Sequence, residues 1–356
     1  MNFLLSGFTS VLSTIGYILL ALLILVVMIV IHELGHYTAG KLLKFKINEF
    51  SIGFGKAIFK KVKKNGEIFA IRWIPLGGYC AFDGEDEDIE SETAFNKQAW
   101  WKRLIVLFSG AFFNFLSAIL MCVVLLAVVG CGYSKIETVQ GENAQYLQVN
   151  DVVTHVNGEK CTFFNGGFNA LTSEITDPNQ TIVLTVERII DGERETIDIP
   201  VKKSVETVEG ETTLYKIGVT TSYANFSFGR SLLKAVPFAF EFAWECLSII
   251  GKLFIGQQSL KDLGGPITTI TTIANASSQS LLNLILLCPL IAVNLAVFNL
   301  LPIPALDGAR MVFVIIEAIR KKPISRDLEA KIHTFGLIFL FAFVILVDIL
   351  QLFVFH

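Results

Sequence analysis

The chain has 356 residues, of which 53% are hydrophobic and 17% charged, with a formal net charge of −3. Its mean hydropathy of +0.60 excludes a disordered chain, a coiled coil and a small disulfide scaffold, and points to a polytopic α-helical membrane protein. No basic field marks a nucleic-acid partner, and the six scattered cysteines form no CxxC pair that would suggest a zinc ribbon or redox motif.

Four stretches reach the roughly 20 apolar residues that a bilayer core requires. The first runs from about Ser13 to His36 and lacks the basic leader and small-residue cleavage site of a signal peptide, so it reads as a retained span. A basic region follows. Within it, Ile68–Trp73 and Tyr79–Phe82 flank Pro75 and Gly77-Gly78 and read as a hairpin. Its edge could pair with an unwound peptide by strand addition, or it is an ordinary surface hairpin. The acidic run Asp83, Glu85, Asp86, Glu87 and Asp88 reads as a solvated loop with no metal.

The second span covers about Leu104 to Gly130. Beyond it, Asp151–Val156, Thr181–Val186 and Glu195–Val201 read as strands, with turns at Asn157-Gly158 and Asp191-Gly192 and a short helix near Phe168–Ile175. This is a compact β-rich insert. Residues 232–256 are apolar but carry Lys234, Glu241, Glu245 and Lys252, and read as an amphipathic helix on the membrane surface rather than a fifth span. The third span runs from about Leu281 to Leu306 and the fourth from about Phe335 to Phe355. The expected division is a membrane core at 1–130, a β-rich domain at 131–205, a linker with the amphipathic helix at 206–280, and a second membrane core at 281–356. Cys131 and Cys161 fall in the β-rich domain, but pairing does not follow from sequence.

Charge sets the expected orientation. Residues 39–103 carry 12 Lys or Arg and residues 307–332 carry 6, whereas the N-terminal span has none. Both basic segments are expected inside the cell, and both termini and the β-rich domain outside.

The chemistry concentrates at the inner end of the first span, in His32-Glu33-Leu34-Gly35-His36. Histidines at i and i+4 share a helical face and can reach one zinc ion, with Glu33 as general base on water. The plain alternative is a polar patch at a helix end. Catalytic zinc takes three protein ligands. The first and third spans both run outside to inside, which brings Asp307, just past Pro302 and Pro304, to the depth of His32 and His36. On topology alone Asp307 is equally a helix-end carboxylate facing the basic loop. Asn294 and Asn299 lie in the third span, where buried amides hold helices together; Asn299 is the better candidate for gripping a substrate backbone.

These residues resemble the site-two protease family of intramembrane zinc metalloproteases, M50-like peptidases in their bacterial form. The stretch His32–Lys41 (HELGHYTAGK), the run Asn299–Gly308 (similar to NxxPxPxLDG) and Ile74–Tyr79 (similar to the family's membrane-re-entrant β-hairpin) carry the resemblance. Where the family usually shows Gly-Pro-x-x-Asn, this chain has Gly110-Ala111-Phe112-Phe113-Asn114. More loosely, Tyr146–Cys161 resembles a segment of a single PDZ domain, with Asn150 in place of a glycine and no clear carboxylate-binding loop; peptide capture and size filtering are both open.

The resemblance implies His32, His36 and Asp307 as ligands of one Zn2+ and Glu33 as the base. It implies a substrate-contacting region at Gly77, Gly78 and Tyr79, and single-span membrane proteins, cut first by another protease, as substrates. Anti-sigma factors and signal-peptide remnants are examples of that class. Two other readings compete: a scaffold whose PDZ-like domain binds peptides, and a metal-ion transporter, for which no repeat is evident.

Overall fold

The computed structural model describes residues 2–85, 91–128, 130, 133–163, 165–175, 177, 180–208, 212–257 and 264–353. In chain order the elements begin with α1 (Asn2–Leu42), β1 (Ile47–Val62), β2 (Ile68–Phe82) and α2 (Trp100–Val128). Then come β3 (Ser134–Val139), β4 (Val152–Val156), β5 (Glu159–Lys160), α3 (Gly167–Ser173), β6 (Ile182–Ile190) and β7 (Glu193–Val201). The remainder is β8 (Ser204–Val208), β9 (Thr212–Lys216), β10 (Val219–Tyr223), α4 (Phe228–Phe254), α5 (Pro266–Gln279), α6 (Leu281–Leu300), α7 (Asp307–Arg320) and α8 (Arg326–Phe353). The chain divides into two compact units, residues 1–121 with 236–356, and residues 122–235.

Four helices are long and apolar enough to cross a membrane: Leu12–Leu42 of α1, α2, Leu282–Leu300 of α6, and α8. They overlap the four apolar stretches of the sequence, the third ending at Leu300 rather than near Leu306. Leu19, Leu23, Leu120, Phe339 and Phe341 stand open on their surfaces, an apolar area that a soluble chain would bury. α4 is not among these helices. α6 stops at Leu300, ahead of Pro302, because the residue before a proline leaves the helical region and the proline has no amide to donate.

The basic region between α1 and α2 departs from expectation. Ile68–Trp73 and Tyr79–Phe82 do not pair with each other but form one long strand, β2, whose partner is β1. Ile52 of β1 lies beside Gly78 on one side and Ile71 on the other, and Lys60 lies beside Ala70. Both strands therefore bend. β1 bends at Gly53 and Gly55, whose φ of +86° and +84° suit glycine. The connecting turn is at Lys63–Gly66, where Lys63 N donates to Glu67 O at 2.8 Å. Ile47, Phe50, Cys80 and Phe82 of this sheet, with Phe45 just before β1, pack on Ala39, Val106, Leu107 and Val314, which fixes the sheet to α1, α2 and α7.

A carboxylate fastens the sheet to α1. Glu67 is 2% exposed and accepts hydrogen bonds from Tyr37 Oη (2.9 Å), Lys63 Nζ (2.6 Å) and Lys41 Nζ. Burial raises its pKa, but these donors, Lys41 foremost, outweigh that and bring it from 4.5 to about 2. The acidic run is likewise not simply solvated. Asp83 pairs with Lys46 at 3.2 Å and Glu85 pairs with Arg310; Asp86, Glu87 and Asp88 lie outside the described residues.

The expected linker at 206–280 contains structure. β10 pairs with β3, so the sheet takes in chain beyond residue 205. α5 packs Ile273 and Ala274 against Ala21 of α1 and Leu284 of α6. The intramembrane acid Asp348 of α8 caps α5: it accepts from Ile267 N and Thr268 N at 3.1 Å each and from Thr268 Oγ1 at 2.8 Å. This satisfies amides that a helix start leaves open.

The second unit is a sheet of order β10-β3-β4-β6-β7, with β5 hairpinned onto β4. Its core is Ile136, Val153, Val156, Ile182, Leu184, Val186 and Ile199, covered by Phe168 and Leu171 of α3. Asn157-Gly158 and Asp191-Gly192 have positive φ at both residues, as primed hairpin turns require. Asn150 has φ +75°, a left-handed position that asparagine tolerates where glycine would be favoured. Cys161 is buried in this core; Cys131 lies outside the described residues.

Candidate metal centre

Helical spacing puts His32 and His36 on one face of α1, turned inward and 9% and 7% exposed. Their Nε2 atoms lie 3.1 Å apart, with the rings edge to face. Asp307, the first residue of α7, places Oδ2 3.0 Å from His32 Nε2 and 3.3 Å from His36 Nε2. These ligand atoms all fall within 4.8 Å of one another.

The outer faces of the imidazoles decide what the inner faces can do. His36 Nδ1 donates to the main-chain oxygen of Val106 at 2.8 Å, which leaves the Nε2 lone pair pointing inward. His32 Nδ1 faces the Asn114 amide at 3.5 Å, and Asn114 Oδ1 is buried without a hydrogen-bond partner. With that amide turned so that Oδ1 accepts from His32 Nδ1, the orphaned oxygen is paired and a second lone pair points inward. Two lone pairs and a carboxylate oxygen then converge on one point, an arrangement that repels itself unless a cation sits there. The donor set of two imidazoles and one carboxylate suits zinc with one position left open.

Glycines permit this convergence. A Cβ on Gly35 would stand 2.2 Å from the Ser109 carbonyl oxygen, so α1 and α2 cross with their backbones in contact. A Cβ on Gly110 would reach 2.4 Å from His36 Nε2 and 2.7 Å from His32 Cε1, so bare backbone cradles the two rings. A Cβ on Gly308 would strike the Leu301 carbonyl oxygen at 2.2 Å, which is why α7 can start directly beneath the end of α6. The loop between them is strained: Ala305 has φ +83°, costly for a residue with a Cβ. It is held by Ala305 N donating to His333 Nδ1 at 3.0 Å and by Pro304 seated against Gly336, both on α8.

Glu33 lies between the histidines in sequence and beside the sheet in space. Gly78 passes it so closely that a Cβ there would be 3.1 Å from Glu33 Cγ, and the Cys80 amide hydrogen-bonds its carboxylate. Gly77 has φ +140° and lies under the Phe54 ring. Tyr79 stacks on Phe54 and donates its hydroxyl to Glu49 at 2.9 Å, so that group serves the sheet. Asn299 is half-buried and Asn294 exposed on α6, and neither side chain makes a hydrogen bond among the described residues. Val106, His333 and Gly336 were not legible from sequence: a main-chain acceptor and two positions on a distant helix carry no local signature. Gly110 and Asn114 did carry one, through the second-span motif.

Residues 20–343 match the profile of peptidase family M50. A Fusobacterium nucleatum protein named "Putative zinc metalloprotease" is 32% identical, covering 93% of this chain and 97% of that one. Similarly named proteins of Clostridium perfringens (29% identical, 94% and 97% covered) and Helicobacter pylori strain J99 (31%, 85% and 89%) align over comparable lengths.

Proposed function

The chain belongs to peptidase family M50 and is a zinc metalloendopeptidase; on that footing we propose that it acts as a site-two-type protease, cutting the membrane segments of single-span proteins already trimmed by another protease. One observation carries this reading: two histidines of a membrane-length helix and a carboxylate from the end of another converge beside Glu33.

In the proposed reaction His32, His36 and Asp307 hold the metal. Zinc bound there supplies the Lewis acidity that polarises the scissile carbonyl and activates water. Glu33 takes a proton from water onto its carboxylate and delivers it to the leaving amine. The Cys80 amide orients that carboxylate. The edge of β2 at Gly78–Phe82 has β1 as its strand partner on one side only, and the other side runs past Glu33. An unwound substrate segment adding to that edge would present its carbonyls to the site, with Gly77, Gly78 and Tyr79 beneath it. Asn299, and more remotely Asn294, would offer their side-chain amides to the substrate from α6.

The charge distribution supports an active site near the cytoplasmic surface, with both termini and the inserted β domain outside. For that domain the PDZ-like reading stands as a proposal, and either peptide capture or size filtering fits it. Anti-sigma factors and signal-peptide remnants are candidate substrates of the proposed class.

The test compares purified native protein with Glu33→Gln, with zinc measured in both, on a tagged single-span substrate. Cleavage by the native chain alone, abolished by a zinc chelator, is the expected result. Equal zinc in both with no cleavage of several different spans by either would overturn the protease reading in favour of a scaffold.

A further inference from the structure

Away from the metal centre, in the same unit, lies an open groove of about 550 Å³. Its walls are the turn before α2, the start of α2, the end of α7 and the start of α8. Five cations line it, Lys97, Arg103, Lys321, Lys322 and Arg326, against one carboxylate, Glu317. That carboxylate is already committed. It accepts from Arg103 Nη1 at 2.7 Å and from Ile324 N at 2.9 Å, and it faces Arg326 at 3.7 Å. Arg326 also pairs with Glu329, outside the groove lining, so two arginines and two carboxylates form a neutralised floor. Lys97, Lys321 and Lys322 are exposed, and their ammonium groups have no ion pair or hydrogen bond among the described residues. Lys321 is held in a left-handed cap, φ +54°, which ends α7 and sets two lysines side by side at the rim.

Three unneutralised cations around a cavity of small-molecule size call for an anionic ligand. The position of the groove specifies which one. α2 and α8 both begin at it, at Trp100 and Arg326, and both are membrane-length helices. The groove therefore lies where two spans enter the same membrane surface. Trp100 lines it and Trp101 stands beside it, 52% and 45% exposed, in the manner of indoles that settle at headgroup level. Basic pockets between spans at that depth suit phosphorylated headgroups.

We propose that this groove binds the phosphate of an anionic phospholipid headgroup, clasped by Lys97, Lys321 and Lys322 above the Arg103–Glu317–Arg326 floor. The site is independent of proteolysis. Its connection to the metal centre is α7, which has Asp307 at one end and Glu317 near the other.

Native mass spectrometry of the detergent-solubilised full chain tests this, with dioleoyl-phosphatidylglycerol and dioleoyl-phosphatidylcholine as probes. The native chain is expected to retain the glycerol lipid at least tenfold more strongly than the choline lipid. K97Q/K321Q/K322Q, which alters only exposed side chains, is expected to lose about tenfold of that retention and keep the native melting temperature. The control K60Q/K61Q/K64Q, on the exposed end of β1 and its turn, is expected to retain the lipid. Equal retention of both lipids by the native chain, or equal loss in the control variant, would overturn the proposal. Inorganic phosphate at constant ionic strength is expected not to displace the lipid; displacement at millimolar phosphate would instead assign the groove to a soluble phosphate compound and refute the lipid.

Discussion

Replacing Gly110 with alanine tests the metal centre through a residue that ligates nothing. In an exposed helix interior the change would stabilise by about 0.8–1 kcal/mol, since alanine has the higher helix propensity. At Gly110 the new methyl would sit 2.4 Å from His36 Nε2, 2.6 Å from its Cε1 and 2.7 Å from His32 Cε1. An ordinary contact begins near 3.4 Å, so the rings must retreat by about 1 Å, and the backbone contact of α1 with α2 at Gly35 leaves the helix nowhere to go. Metal–ligand distances tolerate about ±0.2 Å. Losing one well-placed supporting contact already costs about 10–100-fold in metal affinity, and displacing two ligands should cost at least the upper figure, about 2.8 kcal/mol. Cleavage should fall by about 100-fold or more, as a 1 Å misplacement predicts. The assay is zinc per chain after dialysis against graded chelator, alongside cleavage of the single-span substrate. A Gly110→Ala protein that holds stoichiometric zinc at the native chelator midpoint and cuts at the native rate would refute the geometry from which this follows.

Asn114→Ala removes the group facing His32 Nδ1; zinc affinity should drop about 10–100-fold by the same chelator titration, with the helical circular dichroism unchanged. Gly336→Ala drives a methyl to 2.1 Å from Pro304 Cβ and should shift the loop that carries Asp307, lowering cleavage more than it lowers the melting temperature. Glu67→Gln should destabilise the chain by about 2–3 kcal/mol at neutral pH, because a buried charged acceptor serving two ammonium groups is lost. The pH dependence has a definite sign. With the carboxyl brought from 4.5 to about 2, its contribution is complete above pH 4.5 and fades as pH falls from there toward 2. The melting-temperature gap between native and Glu67→Gln should therefore close on acidification, and a gap that stays constant to pH 2.5 would contradict the assigned partners.

What the sequence disclosed, and what it withheld, follows the range of the forces involved. His32 and His36 were readable as a pair because helical periodicity is local, and the four spans because apolar length is local. Asp307 required more, since 275 residues separate it from His32: the alternation of spans made it a candidate, and the resemblance of Asn299–Gly308 to the family motif singled it out. The turns at Asn157-Gly158 and Asp191-Gly192 announced themselves by residue type. The β1–β2 sheet did not. Each strand bends, and the register of a bent strand depends on which long-range face it buries, so Ile68–Trp73 and Tyr79–Phe82 looked like partners when both belong to β2. Glu67 follows a run of lysines and carries no local mark of burial; only the fold shows it to be a buried junction. The Arg103–Glu317 pair spans 214 residues and leaves no trace in either local segment.

The separation of the ligands also governs when this chain can become dangerous to its own membrane. His32 and His36 emerge early in synthesis, with the first span, whereas Asp307 follows only after the inserted β domain and α6 have been made. A nascent chain thus carries two-thirds of a metal site and an intact Glu33 through most of its elongation, yet cannot close the ligand set. Competence arrives when α7 docks beneath α6, and the loop carrying Asp307 is finally secured by His333 and Gly336, which are made later still. The late arrival of Asp307 and of the α8 residues that hold its loop acts as the safety catch: a chain truncated before Asp307 should bind zinc weakly and leave its neighbours uncut.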